Sequence, residues 1–258
     1  MRGKQYLQAL NFLGFLVMLS VNYAANAVPL NNLTTGEVSN LYYNLFTPAA
    51  FTFYIWGVIY LLLFSFCIYQ ARDLFSSQKK EMSFLQQIGW LFIFSSILNA
   101  VWIFSWHYQY IMLSMLVMVF LLVVLIIIYF NLEVGRKRGS STEAFLVHLP
   151  FRIYLGWIII AAIANASALL TALGRVQGLT EIIWTVGIML VTVIINLLLL
   201  KYRHDYVISL VSLWALAGIA AERLSADPVI IPVLAGTFAA MAIIFVFTAK
   251  TVVRLGSL

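Results

Sequence analysis

The sequence predicts an all-α membrane protein of about eight transmembrane helices. Three observations carry this. Hydrophobic residues make up 64% of the 258-residue chain and charged residues 9%, whereas a soluble domain is about 25% charged. The apolar residues run on without interruption for about 20 positions at a time, the length a ~30 Å hydrocarbon layer demands at 1.5 Å per residue. The basic residues sit in short clusters between those runs. A transmembrane barrel is excluded, because its strands alternate apolar and polar residues and these runs do not.

The elements follow in order. The first apolar run covers 6–28, behind a basic start at Arg2 and Lys4. Ala25-Asn26-Ala27 outlines a signal-peptide cleavage site. A retained helix is the expectation, because the apolar stretch is long for a signal and Asn22 and Asn26 lie one turn apart on one face. The connection 29–47 begins turn-like and ends aromatic, at Leu41-Tyr42-Tyr43-Asn44-Leu45-Phe46. That half suits the membrane interface or a cover over a cavity. Further spans are read at 48–70, 84–106, 110–131, 149–173, 180–200, 206–221 and 229–249, the seventh being the shortest. In the last two, small residues such as Ala217, Gly218 and Ala221, or Gly236 and Ala240, let helices approach closely. They dock the C-terminal helices or make a homodimer; the sequence leaves both open.

Orientation follows from the positive charges. With eight spans, Arg2, Lys4, Arg72, Lys79, Lys80, Arg136, Lys137, Arg138, Lys201, Arg203, Lys250 and Arg254 fall on one side. Arg175 and Arg223 fall on the other, and Arg152 lies just inside the fifth helix near its basic end. Cytoplasmic loops carry the excess of Lys and Arg. The expectation is a multi-pass protein of a bacterial plasma membrane with both termini cytoplasmic. The formal charge of +6 is thus a topology signal and not a nucleic-acid surface.

Motifs of soluble catalysis are missing: the sequence holds no phosphate-binding or dinucleotide glycine loop and no Cys/His metal set. The one cysteine, Cys67, cannot form an intrachain disulfide. No Asp or Glu lies mid-span, which argues against an ion-coupled pump. His107 and His204 fall at membrane boundaries, and His148 pairs with Arg152 at i, i+4. What the spans do hold is amides and aromatic rings. Asn22, Asn99 and Asn165 lie about 9, 10 and 12 Å below the outer ends of the first, third and fifth helices. Tyr54 and Trp56 share that level and Trp102 lies a little above it. A buried amide in hydrocarbon requires a partner. The convergence points to a polar-rimmed aromatic pocket open to the outer side. Trp90, Trp106, Trp184 and Trp214 read as interfacial or helix-contact residues.

The stretch Phe46-Thr47-Pro48-Ala49-Ala50-Phe51-Thr52-Phe53-Tyr54-Ile55-Trp56-Gly57-Val58-Ile59-Tyr60 resembles the second-helix signature of the tryptophan-rich sensory protein family (TspO/MBR), the family of the translocator protein or peripheral benzodiazepine receptor. Leu98-Asn99-Ala100-Val101-Trp102 resembles its third-helix motif. Tyr154-Leu155-Gly156-Trp157, with Ala161 and Asn165, resembles that of its fifth helix. The chain departs from the pattern at Phe51, where the family has Trp, and at Ile153, where it has Pro.

The resemblance implies a TspO-like five-helix bundle over 1–173 and a C-terminal three-helix extension over 174–258. It also implies an intrabundle pocket under the first long loop for a hydrophobic aromatic ligand, porphyrin- or haem-like, with no covalently bound cofactor. The implied lining is Phe51 near the mouth with Tyr54, Trp56, Asn99, Trp102, Trp157 and Asn165. A binding or sensory role leads. A transporter of porphyrin or a small metabolite and a light-dependent porphyrin-degrading enzyme are the alternatives. The lipid bilayer and the small molecule are the expected partners.

Overall fold

The structure, a computed structural model, describes residues 2–28, 30–76, 78, 80–135 and 140–256. Among the described residues there is no strand. Helices α1 (Arg2–Ala27), α2 (Thr35–Leu41), α3 (Ile55–Gln70), α4 (Ser83–Ile88), α5 (Leu91–His107), α6 (Ile111–Asn131), α7 (Ser141–Glu143), α8 (Leu149–Ala172), α9 (Leu179–Arg203), α10 (Tyr206–Leu224) and α11 (Ile231–Gly256) follow one another. A short 3-10 helix, Ala50–Tyr54, leads into α3, and a π turn, Ala144–His148, joins α7 to α8. Seven helical segments are long and apolar enough to cross a membrane, and the shorter α5 makes the eighth apolar segment. The chain is a multi-pass membrane protein.

Several boundaries differ from the hydropathy reading, and three of them have a visible local reason. The third span, read as 84–106, is two helices: Gly89 takes φ 52 between α4 and α5 and breaks the run. That conformation is cheap for glycine and costly for other residues. The fifth span starts at Ser141, because the Ser140 hydroxyl accepts the Glu143 N–H and caps the helix. The seventh reaches Leu224, and Asp205 Oδ1 caps its start by accepting from the N–H groups of Val207 (3.0 Å) and Ile208 (3.2 Å). Hydropathy is blind to such caps, whose residues are polar. Lys79, Arg136, Lys137 and Arg138, used for topology, lie outside the described residues, as does the side chain of Arg2.

The chain divides into two compact units. The first comprises Met1–Thr35 and Ile55–Leu155. Within it α5 packs on α1 and α6, and α1 also meets α3. Phe66, Phe84, Phe92 and Phe151 form a buried cluster there, with Phe66 centroids 6.3, 5.2 and 5.1 Å from the other three. Such edge-to-face pairs contribute about 0.5–1.5 kcal/mol each beyond area burial. Lipid is as apolar as these rings, so close packing is what holds them. Next to the start of α1, Asp73 is buried and receives Lys4 Nζ (2.7 Å), Gln8 Nε2 (2.8 Å) and the Lys80 N–H (2.6 Å). Asn11 donates to Gln70 Oε1 at 2.8 Å one level deeper.

The second unit comprises Gly36–Tyr54 and Gly156–Leu258. Within it α9, α10 and α11 pack on one another. The turn before α3 docks on α10: the Ala49 N–H donates to Gly218 O (3.0 Å), and Trp214 Nε1 donates to Thr52 O (3.0 Å). A Cβ at Gly218 would collide with the Thr52 hydroxyl, so this approach demands glycine. The 36–47 connection is tied to the same unit. Glu181 accepts the Leu45 N–H at 2.8 Å, and the Arg223 guanidinium donates to the Tyr43 hydroxyl and lies 4.9 Å from its ring centre. Elsewhere in this unit Asn196 donates to Ser212 Oγ at 3.0 Å, and Trp184 Nε1 to Ser167 Oγ at 3.0 Å.

Candidate functional site

Two helices of the first unit each carry an aromatic pair at i, i+4, the spacing that places side chains one above the other on a helix face. On α3 the pair is Trp56 and Tyr60; on α5 it is Trp102 and Trp106. The four rings make one continuous stack. Tyr60 lies on Trp56 (5.6 Å, 16°), Trp56 on Trp102 (6.0 Å, 29°) and Trp102 on Trp106 (6.1 Å, 21°). Tyr154, from the start of α8, meets Trp56 edge-on at 6.1 Å. Trp106 Nε1 donates to Thr35 O at 3.1 Å and fixes that end of the stack.

Amides flank the rings. Asn22 on α1 donates to Met18 O (2.9 Å) and to Asn99 Oδ1 (2.7 Å), and Asn99 in turn donates to the Tyr154 hydroxyl (3.1 Å). All three side chains are buried. The chain of bonds joins α1, α5 and α8 at the level where sequence depth placed two of the asparagines. At the Asn31–Thr35 end, His107 caps the arrangement: its ring nitrogens pair with Leu30 O (3.1 Å) and Thr35 Oγ1 (3.1 Å).

Two donors in this layer have no acceptor. Trp102 Nε1 and the Tyr60 hydroxyl are buried and make no hydrogen bond within the protein. The rings that bear them both rest on Trp56. Buried polar groups are nearly always paired, and an unpaired one costs about 1–3 kcal/mol. Two such groups, on the two rings that stack against Trp56, are suited to acceptors from outside the chain.

Of the seven residues singled out from sequence, Trp56, Asn99 and Trp102 come together here. The other four belong to the second unit. Phe51 packs edge-on against Trp214 (5.4 Å), and Trp157 is buried against Phe53 (6.2 Å). Asn165 is buried, and Tyr54 is 78% exposed. The lining expected from sequence omitted Tyr60, Tyr154 and Trp106, and it counted Asn22 only among the amides at that depth. The i, i+4 aromatic pairs on α3 and α5 were the signal that could have found Tyr60 and Trp106. No group of three or more His, Cys, Asp or Glu arranged to hold a metal exists among the described residues.

Neither a curated protein nor a solved structure matches the chain. The profile of the family described as TSPO-like protein matches residues 8–249, and so runs through the C-terminal helices as well as the motif-bearing ones. The aromatic and amide positions around Trp56, Asn99 and Tyr154 and this end-to-end match lead to one assignment: the chain belongs to the TSPO-like protein family.

Proposed function

We propose that the first unit binds a flat, hydrophobic aromatic ligand carrying hydrogen-bond acceptors, of the tetrapyrrole class, and that the protein acts as a membrane receptor for it. One observation carries the reading: two buried donors without partners, Trp102 Nε1 and Tyr60 OH, on a stack of indole and phenol rings. A planar apolar ring would gain dispersion against the half-buried Trp56 and the rings around it. Carboxylate or carbonyl oxygens at its edge would accept from Trp102 and Tyr60. An acceptor-free hydrocarbon would leave both donors orphaned, which is the basis of discrimination. Asn22, Asn99 and Tyr154 brace the site by holding α1, α5 and α8 in register. Trp56, Trp102 and Tyr60 are therefore the residues proposed to touch the ligand, and Asn99 holds them in place.

The test is titration of the purified protein with protoporphyrin IX, followed by tryptophan quenching. Trp102→Phe keeps an aromatic ring but deletes the N–H, and Tyr60→Phe deletes the hydroxyl alone. Each is expected to weaken binding about tenfold, one hydrogen bond to a charged or polar acceptor. Wild-type affinity in the double variant would overturn the assignment.

A further inference from the structure

The second unit contains a cavity that the aromatic stack does not involve. It opens between the last turns of α9 and α11, has a volume of about 450 Å³, and is lined by Leu197, Leu200, Lys201, His204, Phe247, Lys250, Thr251 and Arg254. Lys201, Lys250 and Arg254 are cationic and exposed, His204 adds a ring N–H, and among the described residues the lining holds no carboxylate. The carboxylate nearest in sequence, Asp205, is buried and caps α10. Leu197, Leu200 and Phe247 form an apolar floor. Both helices are long and apolar enough to cross a membrane, so their charged ends fall at headgroup level. Below the cavity α9 and α11 present outward aliphatic and aromatic side chains, including Ile194, Leu198, Ile243 and Val246.

We propose that this cavity is a site for the phosphate of an anionic phospholipid. The three cations and the histidine take the phosphate oxygens, the apolar floor takes the glycerol and first methylenes, and the acyl chains run along the outward faces of α9 and α11. Charge complementarity favours this occupant, since basic pockets between membrane helices bind anionic headgroups and each Lys or Arg near the surface adds attraction. The apolar floor distinguishes it from a site for free phosphate, which has no use for such a surface. The proposal is independent of the ligand site in the first unit.

The test uses the full chain in detergent with native mass spectrometry, and in nanodiscs of phosphatidylglycerol mixed with phosphatidylcholine. The wild type is expected to retain phosphatidylglycerol over phosphatidylcholine. The triple variant Lys201→Gln, Lys250→Gln, Arg254→Gln should lose at least about tenfold in that preference. These exposed side chains leave the fold intact, and Lys201→Arg with Lys250→Arg should restore the preference. Removing a cation elsewhere, Lys80→Gln, should leave it unchanged. Equal retention of phosphatidylglycerol by wild type and triple variant would overturn the proposal. So would displacement of the lipid by millimolar inorganic phosphate, which would reassign the cavity to the free anion.

Discussion

Trp184 and Trp214 of the second unit do different work from Trp102 of the first. In the second unit Trp184 and Trp214 donate their N–H groups to the protein's own oxygens, Ser167 Oγ and Thr52 O, and so cement helix to helix and turn to helix. In the first unit Trp106 does the same with Thr35 O, but its neighbour in the stack, Trp102, has a buried N–H with no acceptor. An indole is both an apolar slab and a single donor. Under the proposed function, the donor left without an acceptor inside the chain is what Trp102 offers to a ligand.

The comparison can be broken at several points. The largest effect is expected from Gly218→Ala, which drives a methyl into Thr52 where the 49–54 turn meets α10. Overpacking of this kind costs about 1–3 kcal/mol. A thermal unfolding scan in detergent checks it, and an unchanged midpoint would mean that the turn is not docked as described.

Next comes Asp73→Asn, expected to cost about 2 kcal/mol, since the carboxylate accepts from Lys4, Gln8 and the Lys80 backbone. Burial by itself would raise the Asp73 carboxyl. The hydrogen bonds from Lys4, Gln8 and Lys80, with the Lys4 charge, outweigh it and hold the group well below the usual carboxylate range. A depressed folded-state value stabilises above the unfolded value of about 4, and that contribution is lost as pH falls below it. The stability gap between wild type and Asp73→Asn should therefore be constant from neutral pH down to about 5 and close below about 4. A gap that widened on acidification would contradict the assignment.

A smaller effect sharpens the contrast between the tryptophans. Trp102→Phe should leave the melting midpoint nearly unchanged while weakening porphyrin binding about tenfold, whereas Trp214→Phe should lower the midpoint and spare binding. Circular dichroism melts beside quenching titrations separate the two. The smallest is Asn22→Leu, which removes one interhelical amide bond to Asn99. Such bonds in membranes are worth about 0.6 kcal/mol on average. A midpoint shift several times larger would show that the amide chain is cooperative.

The level of two buried amides was legible in sequence because helix geometry is regular, while four of the seven expected lining residues fall in the second unit. At 1.5 Å per residue, a position within an apolar run fixes its depth, so Asn22 and Asn99 could be placed at one level before any coordinates. The structure joins them by a 2.7 Å bond. The aromatic stack was half legible: Trp56 and Trp102 carried the motifs, while Tyr60 and Trp106 looked like ordinary membrane aromatics until α3 and α5 were set side by side. The basic cavity was beyond reach, because Lys201 and Lys250 lie on the last turns of different helices, and the sequence reads them only as topology signals.

Composition and periodicity alone determined that the chain is helical, that it crosses a membrane repeatedly, and about where each span lies. Those properties are local: backbone groups in hydrocarbon must bond within their own segment, and apolar runs record where that happens. Tertiary structure alone decided which faces meet, which donors find acceptors, and that Gly89 divides one span in two. These depend on packing between segments far apart in sequence, where lipid offers no contrast of polarity to guide the choice and only shape and hydrogen bonding discriminate.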